Sequence, residues 1–287
     1  MAFDCVVVGN AGVDTCVYVD GLQIDESVEA NFTRNIDAAG QAGGYASRGY
    51  AGRGYRTAFV GALGEDAAGQ MVRAQFTAEG IDTSGVFADP HGTARSVNLV
   101  FRDGRRKNFY DGRGHMGLTP DLDALGLVLS GARLAHVNIP NWARQVLPLL
   151  RALRVPIAVD LQDVVEMDDP YRADFVQAAD LLFFSAVNHP DPARVMRAYW
   201  QQRPGLIQVA GLGARGAALG LGGEVQVFPP PASDLPIVDT NGAGDALAVG
   251  FLSGYVLDGL SPEAALLQGQ LAARKTCAQR IPKALTW

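Results

Sequence analysis

Short, mostly apolar runs at 134–137, 157–160, 181–184 and 206–209 recur through the second half of the chain, set between segments of helical character near 121–129, 142–153, 170–178 and 191–202. A run of about four residues is too short for a helix, and without polar alternation it predicts a strand covered on both faces. Strands of that kind alternating with helices leave few folds open. Consecutive strands must lie parallel, joined by right-handed crossovers, with helices on both sides of one sheet. Cys5-Val6-Val7-Val8-Gly9 and Phe59-Val60-Gly61 read the same way, and 67–79 places Met71, Val72, Phe76 and Ala78 on the apolar side of a helix. The expectation is an α/β sandwich around a doubly wound, mostly parallel sheet, with His136 as a core residue.

Two stretches break this pattern. Residues 16–19 and 29–36 look like short, partly alternating strands, while 95–101 alternates well, turns at Asp103-Gly104 and returns through 106–110. They predict a small β element, about 15–37 and 94–112, projecting from the main sheet, with Asn98, Asn108 and Asp111 placed to face what it covers. Arg105-Arg106-Lys107 reads as a solvated hairpin edge. No repeat, low-complexity tail or long linker divides the chain, so residues 1–287 are expected to form one domain. At 48% hydrophobic composition a chain of this length can bury a core of that size.

Charge and cysteine usage narrow the partners. With 24 basic and 30 acidic residues, net charge −6 and no longer basic run than 105–107, a nucleic-acid partner is excluded and a small molecule is expected. Cys5, Cys16 and Cys277 are odd in number and form no C-x-x-C pair, which predicts reduced thiols in a cytoplasmic protein. The start has no basic n-region, and no stretch approaches 18 uncharged apolar residues, so no membrane segment is expected.

The chemistry is expected at 238–252. There an apolar run breaks into a glycine turn, after which Leu247, Phe251 and Tyr255 repeat at helical spacing, so a helix starts near Gly242 or Ala243. Glycines at 242 and 244 let the backbone approach a ligand, and the first amides of a helix lack an intrahelical acceptor. Together they suit a phosphate or a developing oxyanion. Asp245, in the first turn, does not attract an anion by charge. It either complements the helix dipole or accepts the proton of a hydroxyl that attacks a phosphoryl group. Asp14 follows the first buried run, at the end of the sheet where ligands bind, and either holds substrate hydroxyls or caps a turn. Gly9-x-x-Gly12 lacks the third glycine of a dinucleotide site.

Asp239-Thr240-Asn241-Gly242-Ala243-Gly244-Asp245 resembles the C-terminal signature Asp-Thr-x-Gly-Ala-Gly-Asp of the ribokinase-like, or PfkB, family of sugar and nucleoside kinases, and the resemblance extends over nearly the whole chain. It implies a ribokinase-like three-layer sandwich whose β element is a lid over the substrate. The implied activity is ATP-dependent phosphorylation of a hydroxymethyl group on a sugar or sugar-like compound. Asp245 would be the catalytic base, and Gly242, Ala243 and Gly244 the anion hole. The resemblance implies Asp14, Gly43, Gly44, Tyr45 and Asn98 on the substrate side, and Ser185, Gly213, Gly216, Asn241 and Gly244 on the nucleotide side. Magnesium is implied with the nucleotide, and potassium at Asp239 with main-chain groups near the C-terminus. A homodimer through the lid is implied as well.

Two departures stand out. The Asn of the family's N-terminal signature falls on Tyr45 or on Arg48, depending on how the glycines are matched. Its Asn-x-x-Glu, which holds water around magnesium, becomes Ser185 and Asn188. These changes keep two alternatives open: a nucleoside kinase, with Tyr45 stacking on a base, and a non-catalytic ligand-binding protein on the same fold.

Overall fold

The computed structural model describes residues 2–281. Its first strand, β1 (Cys5–Val8), is buried along its whole length. Val6 and Val8 enter one apolar cluster and Cys5 and Val7 another, which is the two-sided burial that the absence of alternation requires. The chain continues through β2 (Gly12–Val19), β3 (Thr33–Gly40), α1 (Gln41–Gly52), β4 (Thr57–Leu63), α2 (Ala67–Ala78) and β5 (Asp82–Ala88). After β6 (Arg95–Val100) and β7 (Arg106–Asp111) come α3 (Leu122–Leu129), β8 (Ala135–Val137), α4 (Leu147–Ala152), β9 (Ile157–Asp163), α5 (Ala173–Ala178), β10 (Leu181–Ser185), α6 (Pro192–Gln202) and β11 (Ile207–Gly211). The hairpin β12 (Ala217–Leu221) and β13 (Glu224–Phe228) leads to α7 (Ala243–Leu252) and α8 (Pro262–Cys277).

Among the described residues, nine strands form the main sheet in the order β13-β12-β11-β10-β9-β8-β1-β4-β5, parallel from β11 to β5 and antiparallel at the β12–β13 edge. Strand order reverses between β1 and β8, so the crevice for a ligand opens at the carboxyl ends of those strands and their neighbours. Helices α3 to α6 pack on one face, through residues such as Leu129, Leu150, Phe175 and Met196. On the other, Tyr50, Phe76, Phe251 and Leu266 bring in α1, α2, α7 and α8. His136 is fully buried, with the Tyr50 hydroxyl 3.2 Å from its Nδ1. Desolvation lowers its pKa to about 4, which keeps the ring neutral. Among the described residues, no helix is long and apolar enough to cross a membrane.

The second sheet has four strands, ordered β3-β2-β6-β7. Its extent corrects the expectation at two places. The strand expected at 29–36 is displaced to Thr33–Gly40, and the one expected at 16–19 begins four residues earlier, at Gly12. The reason is tertiary: β2 finds backbone partners on both sides, from Gly12 opposite Gly40 to Val19 opposite Thr33 and in parallel with β6. Asp14 therefore lies within a strand of this sheet, not on a loop beyond the main one. The sheet is tied to the sandwich by Tyr18, whose hydroxyl donates to Asp239 (2.9 Å) and accepts from the Ile281 amide (3.0 Å).

Candidate active site

A cleft of about 1400 Å³ lies across the carboxyl ends of the main sheet, beneath the four-stranded one. Its floor includes the start of α7. Gly242 holds φ at +75°, a left-handed conformation that glycine adopts without strain, and the helix begins at the next residue. The Ala243 amide donates to the Thr240 carbonyl (3.2 Å), so of the three expected anion-hole residues Ala243 is already engaged. A Cβ at Gly244 would meet nothing within 4 Å, which leaves that part of the floor open to a ligand.

Asp245 projects from the first turn of α7, and its buried Oδ1 has no hydrogen-bond partner. Burial pushes its carboxyl up to about 8, the negative charge of Asp160 adds to that push, and Arg106 opposes it. Asp160, set between Val159 and Leu161 in the buried part of β9, is itself raised by burial, and through its repulsion of Asp245 the two acids titrate as a pair. Such a carboxyl is a far stronger proton acceptor than an ordinary aspartate, which suits it to take a proton from an alcohol.

The acceptor end is organised differently from the sequence expectation. Asp14 is 2% exposed, and its carboxylate accepts from the hydroxyls of Tyr45 (2.7 Å) and Ser96 (2.5 Å), the Gln41 amide (3.3 Å) and Asn241 Nδ2 (3.2 Å). Asn241 Nδ2 also donates to the Tyr45 hydroxyl (2.8 Å). Tyr45, not Arg48, faces the cleft. The Arg48 guanidinium turns away to a buried pair with Glu79 (2.9 Å). Tyr45 is 3% exposed and bonded at its hydroxyl, so its ring is not presented for stacking on a base. Gly43, Gly44 and Asn98 are buried and are not among the cleft-lining residues; neither is Asp239. Asn98 instead accepts from Asn108 Nδ2 (3.0 Å), and Asp239 accepts from Tyr18 and from the Asn241 amide (2.8 Å). Part of the C-terminal main chain implied for potassium lies outside the described residues.

Alternation along β7 corrects the reading of 105–107. Arg106, Asn108 and Tyr110 point one way, into the cleft, whereas Asp111 falls on the opposite face. Arg105 does behave as a solvated edge, paired with Asp103 at 2.6 Å. On the other side of the cleft lie Ser185 at the end of β10, the turn from Gly213 to Gly216, and Gln270, Ala273 and Arg274 of α8. Asn188 donates to both carboxylate oxygens of Asp163 (3.1 and 3.0 Å), so the carboxylate missing from β10 has a neighbour on β9. Sequence reasoning missed Gln41, Arg106, Asn138, Asp160 and Asp163. The rule that drew attention to Asp14, a polar group ending a buried strand, applies equally to Asn138 and Asp160.

A nine-stranded doubly wound sheet, a second sheet roofing its switch point and a glycine-led helix carrying a basic carboxylate define a ribokinase-like α/β kinase. The chain belongs to the pfkB family of carbohydrate kinases, whose model matches residues 2–134 and 173–284. It is 35% identical over 281 residues to acarbose 7(IV)-phosphotransferase of Actinoplanes sp., covering 96% of this chain and 92% of that one. Among solved structures it is similar to a microbiome-derived acarbose kinase, Mak1 (TM-score 0.87, 28% identity, 99% of this chain and 95% of that one). It is also similar to Arabidopsis thaliana ribokinase complexed with ribose and ATP (TM-score 0.79, 25% identity, 98% and 94%).

Proposed function

We propose that this carbohydrate kinase transfers the γ-phosphoryl group of ATP to a hydroxymethyl group of a sugar-like acceptor, with Asp245 as the general base. The observation that carries this is the Asp245 carboxylate, buried and unpartnered at Oδ1, in the first turn of a helix whose start lines the cleft. The amides of Gly242 and Gly244 serve the transferring group, and Gly213 to Gly216 and α8 hold the nucleotide. The cleft exceeds the roughly 300–1,000 Å³ of a single small-ligand pocket, consistent with nucleotide and acceptor side by side. Residues 1–287 act as one unit, with the four-stranded sheet as a lid that excludes water from the reaction. Similarity to two acarbose kinases favours an acceptor of more than one ring. Phosphoryl transfer from ATP against acarbose, ribose and a nucleoside panel tests the proposal, and transfer to none of them would overturn it.

The pH dependence follows from the Asp245 environment. The base acts only when ionised, so kcat/KM rises with pH up to about 8, the value for its carboxyl. Asp160→Asn removes the like charge and should move that limb to lower pH. The stability effect has the opposite sense. A carboxyl raised above its unfolded value of 3.8 stays protonated in the fold, so stability is present at low pH and is lost as pH climbs toward 8. Asp245→Asn should flatten that fall; an unchanged pH profile of unfolding would refute the assignment.

Magnesium fits the donor set only as a nucleotide-borne ion. The carboxylates Asp160, Asp163 and Asp245 line the cleft, but no group of three acidic, His or Cys side chains among the described residues is placed to hold a metal. Bound with the nucleotide, the ion would supply positive charge to the phosphates. Asp163, held by Asn188, would order its water. Asp163→Asn should raise the magnesium concentration for half-maximal rate severalfold, whereas an unaltered requirement counts against that role. The Asp239 carboxylate already accepts from Tyr18 and Asn241, which favours a role for it in tying the lid to α7 over one in holding potassium.

A further inference from the structure

Gln41 combines two features that the fold does not need. Its backbone sits at φ +64°, in the left-handed region that disfavours residues with a side chain. Its carboxamide is buried, with the residue 8% exposed, and neither Oε1 nor Nε2 has a hydrogen-bond partner. Buried amides in folded proteins are ordinarily bonded, so both ends of this one are available to a ligand. A glycine at this position would remove both penalties at once.

The surroundings keep the group where it is. The Gln41 amide donates to Asp14 Oδ2 (3.3 Å), which pins the residue at the head of α1, and the side chain lines the cleft. Gly12 lies against both the Ala94 carbonyl and this carboxamide: a Cβ there would come within 2.0 Å of Ala94 O and 2.8 Å of Gln41 Nε2. Asp14, the acid nearest this end, already accepts from four protein donors. Asn138, at the end of β8, is 3% exposed and also has both amide atoms unpartnered. Two neutral carboxamides, each a donor and an acceptor, match hydroxyl or amine groups on an uncharged polyol and offer no charge to an anionic acceptor.

We propose that Gln41 is a specificity-determining residue for the acceptor, its carboxamide both donating to and accepting from neighbouring polar groups of a neutral polyhydroxylated ring. This rests on the kinase reading above, which it deepens by assigning the sugar contact to a side chain that the sequence signature did not single out.

The test uses Gln41→Gly, which accepts the backbone conformation and removes only the side chain. Its melting temperature should equal or exceed the parent's, and its ATP affinity should be unchanged. Its KM for acarbose, or its calorimetric Kd with a non-hydrolysable ATP analogue bound, should rise by roughly tenfold or more, as for a lost set of buried hydrogen bonds. Gln41→Asn, which also tolerates positive φ, withdraws the amide by one methylene and should give an intermediate loss. Unchanged acceptor affinity in both variants overturns the proposal and leaves the kinase reading standing. A lowered melting temperature with ATP and acceptor binding reduced together makes Gln41 structural and also overturns it. A parent that binds acarbose in a Gln41-dependent way but transfers no phosphoryl group to acarbose, ribose or the nucleoside panel upholds the contact and overturns the kinase reading. A parent that neither binds nor phosphorylates acarbose, ribose or any nucleoside of the panel overturns both.

Discussion

Asp245→Asn lowers phosphoryl transfer by roughly 10²–10⁴-fold, the range for loss of a general base, while the fold and ATP binding persist. The replacement keeps the size of the side chain and removes its ability to take a proton. Because the carboxyl is pushed up to about 8 by burial and by Asp160, the parent spends binding and packing energy to hold a strongly basic group in the cleft. The Asn variant is relieved of that strain. Its thermal stability at pH 8 and above should therefore equal or exceed the parent's, a combination that generic damage to the site would not give. Turnover is measured with an acceptor found in the panel, ATP affinity by calorimetry and stability by thermal unfolding. Parent-like turnover in the Asn variant would exclude Asp245 as the base.

Asp14→Ala should act on the fold before it acts on the acceptor. The carboxylate accepts from Tyr45, Ser96, Gln41 and Asn241, which join β2, α1, β6 and the turn before α7. Its removal leaves several buried donors without an acceptor, at a cost of about 3 kcal/mol or more and a melting temperature lower by roughly 6 °C or more. Both elements of the lid hinge on this cluster, so acceptor and nucleotide affinity should fall together. If Asp14 served only to hold substrate hydroxyls, as the family resemblance implies, its loss would weaken the acceptor and leave the nucleotide nearly untouched. An unchanged melting temperature with selective loss of acceptor binding would restore that reading and show that ligand hydroxyls displace the protein donors.

What the sequence determined by itself was local or periodic. Uninterrupted apolar runs such as 5–8 and 181–184 require cover on both faces, and their alternation with helices fixes a parallel sheet whatever the details of packing. The helix start at 242–245 was legible because glycine conformation and the unpaired first amides are properties of a few consecutive residues. Tertiary structure decided everything that depends on what lies opposite. Strand β2 begins at Gly12 because Gly40 and Arg95 bring partners alongside it, and that pairing carries Asp14 out of the solvent and into a saturated cluster. Tyr45 rather than Arg48 meets the cleft because Glu79, far along the chain, captures the arginine. Asp245 becomes basic because the fold buries it and brings Asp160 of β9 near it, and the Gln41 carboxamide is left unbonded because the fold supplies it no partner. Periodicity records which face of an element is buried. Hydrogen-bond saturation and pKa depend on groups brought together from distant parts of the chain, and the local sequence around any one of them does not specify its partners.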